Sequence, residues 1–521
     1  MKRTRTILAG LAVAGLLLPC ASKAEDATLQ QKIDALSQEV EALKRQASTA
    51  GAKGPSKSLD SWLTIGGDYR FRVDSLRGRT ADHFAFQDAL GFMLGGPAPT
   101  LKESDTVKNN LLYTNRFGLN LKAKVTQNVS LTSRLLFYKT FGNSDTEATT
   151  GPFFADRVGT FDGTQGHVPG DGKLLVDQVY ATWSNILDQP LWLSVGRRPS
   201  TGGIPSHLRQ NAETPGNAGI PALLVDYAFD GMTLGYAPDI EKLPGAYGKI
   251  CYGRAFENGF TGGPFNKGAV KDTDMLGISV VPIDTDPLYV DLQWNRGFHI
   301  FDFPVMERTA LDPPFDSTRP RTDLGSIDWY GLTVLSSLKK IGPGTLNWFA
   351  SAALSVTHPN DNTVQVPDPT NPLAPPIDTG AGLLYTGERD SKTGWGFYAG
   401  ARYDYARTRT KLGLEYNHGS KNWITFVPAS DDLWTGKLGT RGNVYEAYLI
   451  QELNQKPIAS FISKAFFRLG YQLYDFEWTG SNNWVGAPIK ISDLDQSPAN
   501  AQMLTPIKRA QDLYATFEVR F

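Results

Sequence analysis

Apolar and polar side chains alternate one by one along much of this chain. The clearest stretch closes it: Leu513, Ala515, Phe517, Val519 and Phe521 are apolar, while Tyr514, Thr516, Glu518 and Arg520 between them are polar or amphipathic. A period of two sends successive side chains to opposite faces of a strand, so the segment has one oily face and one wet face. The same rhythm runs through 63–74, where Leu63, Ile65, Tyr69, Phe71 and Val73 oppose Thr64, Asp68, Arg70, Arg72 and Asp74. In 111–125 it sets Tyr113, Phe117, Leu119, Leu121 and Val125 against Thr114, Arg116, Asn120, Lys122 and Lys124. In 129–141 it sets Leu131, Leu135 and Phe137 against Thr132 and Arg134.

Further strands are predicted at 174–185, 191–198, 222–229, 232–238, 248–256, 273–282, 287–297, 327–337, 345–357, 394–405, 409–418, 442–453, 463–477 and 511–521. Many exceed the roughly 5–6 residues usual in soluble proteins and are long enough to cross a bilayer at a tilt. Short connections (126–128, 185–190, 230–231, 284–286, 338–344, 406–409) mostly alternate with long ones (76–110, 142–173, 199–221, 298–326, 358–393, 419–441, 478–510). Tight turns on one side and long loops on the other are the pattern of a transmembrane antiparallel β-barrel; a sandwich of Greek keys has no reason to alternate so regularly. Both chain ends then belong on the short-turn side, which requires an even number of strands, whereas the segments above number 17. The conflict falls between 232 and 273. Either 232–256 is one interrupted strand, giving 16, or 257–272 holds another, giving 18, the preferred count. The predicted fold is all-β.

The N-terminal part follows another rhythm. Lys2, Arg3 and Arg5 precede an apolar run from Ile7 to Leu18, and Ser22-Lys23-Ala24 supplies small residues for cleavage. Residues 1–24 therefore read as a secretory signal cut after Ala24; lipoprotein processing at Cys20 fits poorly because Pro19 precedes it. In 25–47, Leu29, Ile33, Leu36, Val40 and Leu43 step by alternating fours and threes, a heptad seam. An isolated helix of this length is marginal in water, so the seam predicts a periplasmic coiled coil that joins copies of the chain. Residues 48–58 are a Gly-, Ser- and Lys-rich linker, and 59–521 form the barrel.

Composition narrows the picture. The 521 residues carry a formal charge of −1, which gives no support for nucleic-acid binding. With 52 Gly, 27 Phe and 20 Tyr, and a negative mean hydropathy, the chain suits a membrane barrel whose hydropathy averages out along each strand. Of the 2 cysteines, Cys20 lies in the leader and Cys251 stands alone in the mature chain. No C-x-x-C-H is present, so no haem is attached through that motif, and no other cofactor or metal is called for.

The wet faces should line water, because a Lys or Arg facing lipid near the midplane costs roughly 2–4 kcal/mol. Asp68, Arg70, Arg72, Arg116, Lys122, Lys124, Arg134, Arg402, Lys411 and Arg468 are the candidate lining residues, and the basic ones outnumber the acidic. Rings of fixed charge bias which ion enters a pore, so a mild anion preference is expected, set against cross-strand pairing of the same charges. Trp62, Trp183, Trp192, Trp294, Trp348, Trp395 and Trp478 fall near strand ends, as interfacial girdles would place them. Asp272/Asp274 and Asp284/Asp286 could hold a cation but read more simply as turns. No H-E-x-x-H or G-x-S-x-G is present. His418, ending a strand, is the one candidate for a lipid-facing hydrolytic base.

A terminal Phe on an alternating aromatic strand resembles the assembly signal of bacterial outer-membrane β-barrels. Val195-Gly196-Arg197-Arg198-Pro199 resembles a strand-to-loop passage of porin-like proteins, in which the arginine after the glycine points to the channel. By phase, Arg198 faces the same way as Ser194 and Gly196, while Arg197 faces out. The whole plan resembles a porin-like outer-membrane family, largely uncharacterised. That resemblance implies an outer-membrane, non-enzymatic channel for passive diffusion of small hydrophilic solutes, with 142–173 and 199–221 folding inward. The competing readings are an envelope-tethering barrel, a sheath around an electron-carrying partner, and a lipid-hydrolysing barrel.

Overall fold

The computed structural model describes residues 62–521 except 141–168, 170–172, 200–207, 212–222, 226, 260–269, 304–319, 369–370, 372–373, 428–431, 454–463 and 503. The leader, the heptad helix and the linker lie outside the described residues, as does nearly all of 142–173.

The described chain closes into one antiparallel barrel of sixteen strands. In chain order these are β1 (Leu63–Thr80), β2 (Thr106–Lys124), β3 (Val129–Thr140), β4 (Leu175–Ser184), β5 (Leu191–Pro199), β6 (Ala228–Tyr236), β7 (Tyr247–Phe256) and β8 (Thr273–Asp284). They continue as β9 (Tyr289–Phe298), β10 (Gly325–Ile341), β11 (Gly344–Pro359), β12 (Thr393–Tyr405), β13 (Thr410–Gly419), β14 (Gly442–Glu452), β15 (Lys464–Phe476) and β16 (Ile507–Arg520). Each pairs with its sequence neighbours, and β16 pairs with β1 from Asp68↔Arg520 to Thr80↔Ile507. Leu513, Ala515, Phe517 and Val519 lie opposite Ser75, Val73, Phe71 and Tyr69 at that seam. Phe521 extends it: its N–H donates to the Gly67 carbonyl at 3.0 Å and its carbonyl accepts from Gly67 N–H at 2.8 Å.

The count is the lower of the two expected. The expected route to it does not hold: 232–256 is not one interrupted strand but is divided between β6 and β7. Only the end of the strand predicted at 222–229, from Ala228, is strand, and it runs on into the predicted 232–238 as β6, so Asp230-Gly231 is not a turn. Both residues sit in the ladder, Asp230 opposite Arg197 and Arg254, Gly231 opposite Gly196 and Gly253. Asp-Gly is a strong hairpin signal, but here Gly231 allows close backbone packing: a Cβ on it would lie 2.1 Å from the Tyr252 carbonyl oxygen.

Strands also overrun their predicted ends. β1 and β2 stay paired through Arg77↔Lys108 and Arg79↔Thr106, inside what reads as loop 76–110. Outward positions there are polar and exposed, among them Ser75, Arg77 and Arg79. Alternation thus marks where lipid touches the wall, and pairing continues into water beyond it. One helix, α1 (Phe86–Met93), lies in the β1–β2 connection, where none was predicted.

Apolar side chains stay uncovered on the outer face: Leu414 is 67% exposed, Ile250 53% and Leu513 51%. Inner-face neighbours such as Asp291, Thr233 and Asn347 are fully buried. Trp183, next to the short-turn end of β4, and Trp395, near the long-loop end of β12, are both exposed, one toward each rim. A second apolar population sits inside the long-loop end. Phe301, Phe426 and Trp484 form an aromatic cluster with Trp329, and Leu433 and Trp434 pack against Leu76, Leu112 and Tyr474. The loops thus bring their own core to that end of the barrel.

Gly196 carries a positive φ of 123° within β5, and a Cβ there would lie 2.6 Å from the Val179 carbonyl oxygen. Two residues on, Arg198 lines a small space with Val225, Cys251 and Asn295. Gly196→Ala should therefore lower folded-state stability by roughly 1–3 kcal/mol, read as a lower urea midpoint of the refolded barrel. An unchanged midpoint would refute the need for glycine at this position.

Candidate functional site

The inner wall divides into a covered arc and an open one. The covered arc runs through β12–β16. Period-two alternation carries Arg402, Lys411, Glu415, Glu446, Arg468, Gln472, Thr516, Glu518 and Arg520 to the inner face, away from exposed Leu412, Leu414, Tyr445, Phe467 and Leu469. A turn of the β5–β6 connection, Leu208 to Asn211, descends onto that arc.

Four consecutive carbonyls of this turn each accept from a basic side chain of the wall. Leu208 accepts from Arg402 at 2.7 Å, Arg209 from Arg468 at 2.5 Å, Gln210 from Arg520, and Asn211 from Lys464 at 2.7 Å. Lys411 adds a bond to the Asn211 side chain at 2.6 Å. A turn that enters a barrel strips its backbone carbonyls of water, and buried polar groups must be satisfied. These cations satisfy them. They are balanced from behind: Arg402 by Asp404 at 2.6 Å, Lys411 by Glu452 at 2.8 Å and Arg468 by Glu518 at 2.7 Å.

The Arg209 guanidinium points onward into a buried ionic cluster. It meets Asp432 at 2.8 Å and Glu446 at 3.1 Å. Lys437, from the β13–β14 connection, bonds Glu446 at 2.7 Å and Glu415 more closely still. Tyr514 and Tyr398 donate to Glu446 and Glu415, each at 2.6 Å, and Gln472 donates to Asp432 at 2.8 Å. Burial alone would pull the Lys437 ammonium down, but the Glu415 and Glu446 carboxylates outweigh it and hold its pKa above the usual lysine value. Arg209 is likewise raised, burial being overcome by Glu446 and Asp432. Both inward connections are thereby pinned to one patch of wall.

The open arc lies on β1–β4, toward the short-turn end. Lys122 and Lys124 are exposed on the inner face and make no ion pair among the described residues. Beside them, Asp68 bonds Arg134 at 2.7 Å and lies 3.7 Å from Arg116, and Arg134 also bonds Asn120 at 2.7 Å. Farther along β1 the residues are buried: Arg70 stacks on Tyr138, and Arg72 bonds Asp74 at 2.6 Å and Asp512 at 2.8 Å. Of the predicted lining residues, then, Lys122, Lys124, Asp68, Arg116 and Arg134 meet the open arc. Arg402, Lys411 and Arg468 stand behind the inserted turn.

The other candidates find simpler partners. Arg254 takes Asp272 at 2.7 Å and Asp274 at 2.6 Å, and Lys339 takes Asp286 at 2.7 Å. His418 bonds Asn443 at 2.9 Å and lies against the Trp395 ring. Among the described residues no serine hydroxyl bonds to it; Ser420, two residues on, accepts from the Trp395 N–H.

Arg402, Lys411 and Arg468 of the covered arc were predicted, but the members of its ionic cluster Arg209, Asp432, Lys437, Glu446 and Gln472 were not. Glu446 and Gln472 sit on the polar phase of predicted strands, so alternation could have found them. Arg209, Asp432 and Lys437 belong to aperiodic connections that carry no such signal.

A closed antiparallel wall, apolar outside and charged within, defines a β-barrel of the transmembrane type. The chain belongs to the family DUF3373, proteins of unknown function, whose family model matches residues 106–521. No curated protein matches the sequence. Similar solved structures include OprB of Pseudomonas putida at high pH, 10% identical, covering 89% of this chain and 95% of that one, with a TM-score of 0.43. An anion-selective porin from Comamonas acidovorans is 10% identical, covering 88% and 99%, with a TM-score of 0.39. Salmonella typhi OmpF, in complex with daunomycin, is 9% identical, covering 88% and 97%, also at 0.39.

Removing one partner of a buried ion pair leaves the other charge uncompensated. Glu446→Gln should therefore cost roughly 3–5 kcal/mol of unfolding free energy, measured by urea titration of the refolded protein. Adding Lys437→Met should recover part of the loss. Equal stability of wild type and Glu446→Gln would show that the cluster does not hold the connections.

Proposed function

We propose that the protein is a channel of the bacterial outer membrane through which small hydrophilic solutes diffuse passively, with a mild preference for anions. The observation that carries this reading is the uncovered inner arc, where Lys122 and Lys124 face solvent beside Arg116 and Arg134, with Asp68 and Asp177 as the acids among them. A solute moving along this arc exchanges bulk water for fixed, mostly positive charge, and such charge sets which ion enters more readily. The inserted turn narrows the cross-section from the adjoining arc, across the seam where β16 meets β1. No catalytic step is needed. In this reading residues 1–24 direct export, and the seam of Leu29, Ile33, Leu36, Val40 and Leu43 joins copies in the periplasm.

The covered arc favours a second reading, a closed barrel that anchors the envelope through its N-terminal helix. Deleting 25–58 separates the two: lost envelope integrity with unchanged solute uptake favours the anchor.

Purified protein in planar bilayers should give discrete conductance steps. The double variant Lys122→Glu/Lys124→Glu should shift the reversal potential in a salt gradient toward cations, with folding and single-channel size largely kept. Folded protein that never conducts would overturn the channel reading; conductance with unchanged ion preference would overturn the role of the open arc.

A further inference from the structure

Among the long connections lies a cavity of about 760 Å³. Small-molecule sites commonly enclose roughly 300–1,000 Å³. The helix α1 lines it with Leu90 and Met93, the β9–β10 connection with Phe303, and the β15–β16 connection with Trp478 and Ile489. Among its described lining residues a single one is charged: Arg441, at the foot of β14.

Arg441 is 1% exposed. Its Nε donates to the Trp423 carbonyl at 3.0 Å, Nη1 to Thr479 at 3.0 Å and Nη2 to Asn483 at 2.6 Å. All three acceptors are neutral. A guanidinium has five N–H donors, so one on each terminal nitrogen is left over. The contrast with other buried arginines is sharp, since Arg72, Arg209, Arg402 and Arg468 each have a carboxylate within 2.8 Å. Arg441 has none among the described residues, and burial unopposed by any acid pulls its guanidinium below the ordinary value. A buried charge without a counter-ion is costly. Stitching the β13–β14 connection to the β15–β16 connection explains the three carbonyl bonds. It does not explain a cation, with two donors to spare, on the wall of a mostly apolar chamber that holds no other charge among its described lining residues.

We propose that this cavity binds a single-chain amphiphile with a carboxylate head, the head on Arg441 and the chain along Leu90, Met93, Phe303, Trp478 and Ile489. Paired N–H donors on the two terminal nitrogens match the two oxygens of a carboxylate. A phosphate monoester offers the same fork but brings a second charge that one guanidinium leaves unmet. The apolar walls supply the burial that a short hydrophilic anion would waste. This binding is independent of whether the barrel conducts.

The full chain in nanodiscs of zwitterionic lipid tests it, with dodecanoate, dodecanol and dodecyl phosphate titrated by calorimetry. Wild type should bind one dodecanoate saturably, at least tenfold more tightly than either of the others. Arg441→Gln should weaken dodecanoate at least tenfold and leave dodecanol unchanged, while Arg441→Lys should retain most of the dodecanoate affinity. Ala89→Trp, which fills the cavity from α1, should abolish binding of both. Equal affinity of wild type for acid and alcohol, tighter binding of the phosphate, no saturable binding, or undiminished dodecanoate binding by Arg441→Gln or Ala89→Trp would each overturn the proposal.

Discussion

In hydrocarbon no water is present to bond a stray N–H or C=O, so a wall of strands must satisfy its backbone within itself. An open sheet fails at its two edges. In this protein the edges meet where β16 lies against β1, from Asp68↔Arg520 to Thr80↔Ile507, and the Gly67–Phe521 bonds carry the ladder one residue further. Gly67 is part of that join: a Cβ on it would lie 2.7 Å from the Phe521 ring. The register set at this seam decides which face every later side chain meets, because the period of two leaves no freedom once one strand is placed.

The same accounting reappears inside. A connection that enters the lumen exposes its peptide groups to a confined space, and the wall must answer them. Arg402, Arg468, Arg520 and Lys464 do so for four successive carbonyls, while acids behind or beside them hold the charge balance. Basic residues on a barrel interior can therefore serve two ends. On β2, Lys122 and Lys124 face solvent; on β12–β16 the basic residues bind backbone. Their sequence surroundings are alike, an alternating strand in both cases, and only the arrival of Leu208–Asn211 separates them.

That distinction explains what was legible in the sequence. Alternation records the contrast between lipid and interior, so it located nearly every strand and the sidedness of the connections. It failed at β6, where Asp230-Gly231 carries a turn signal but sits in the ladder beside Gly196 and Gly253. It understated β1 and β2, whose paired ends face water on the outside and lose the apolar phase at Ser75 and Arg77. Arg209, Asp432, Lys437 and Arg441 were out of reach because their roles depend on which connections meet in space. The inner position of Glu446 was readable by phase; that it would be the centre of a buried cluster was not.

A filled interior could have been made from apolar residues, which are usually no less stabilising than buried ion pairs. Here apolar packing gathers mainly at the long-loop end, around Trp329, Phe426 and Trp434, with a smaller inner cluster of Tyr448, Ile450 and Phe466 farther along the wall, and β13–β16 keep their charges between. An apolar inner face at mid-wall would make the two faces of β13–β16 alike, and a slip of one residue would then cost little. With Glu415, Glu446 and Arg468 on one face and Leu414, Tyr445 and Phe467 on the other, the same slip sends charges into lipid at roughly 2–4 kcal/mol for a Lys or Arg at the midplane. The buried cluster thus helps fix strand register as well as pinning the connections, and the charge that marks the inner face is the charge that later receives Arg209 and Lys437.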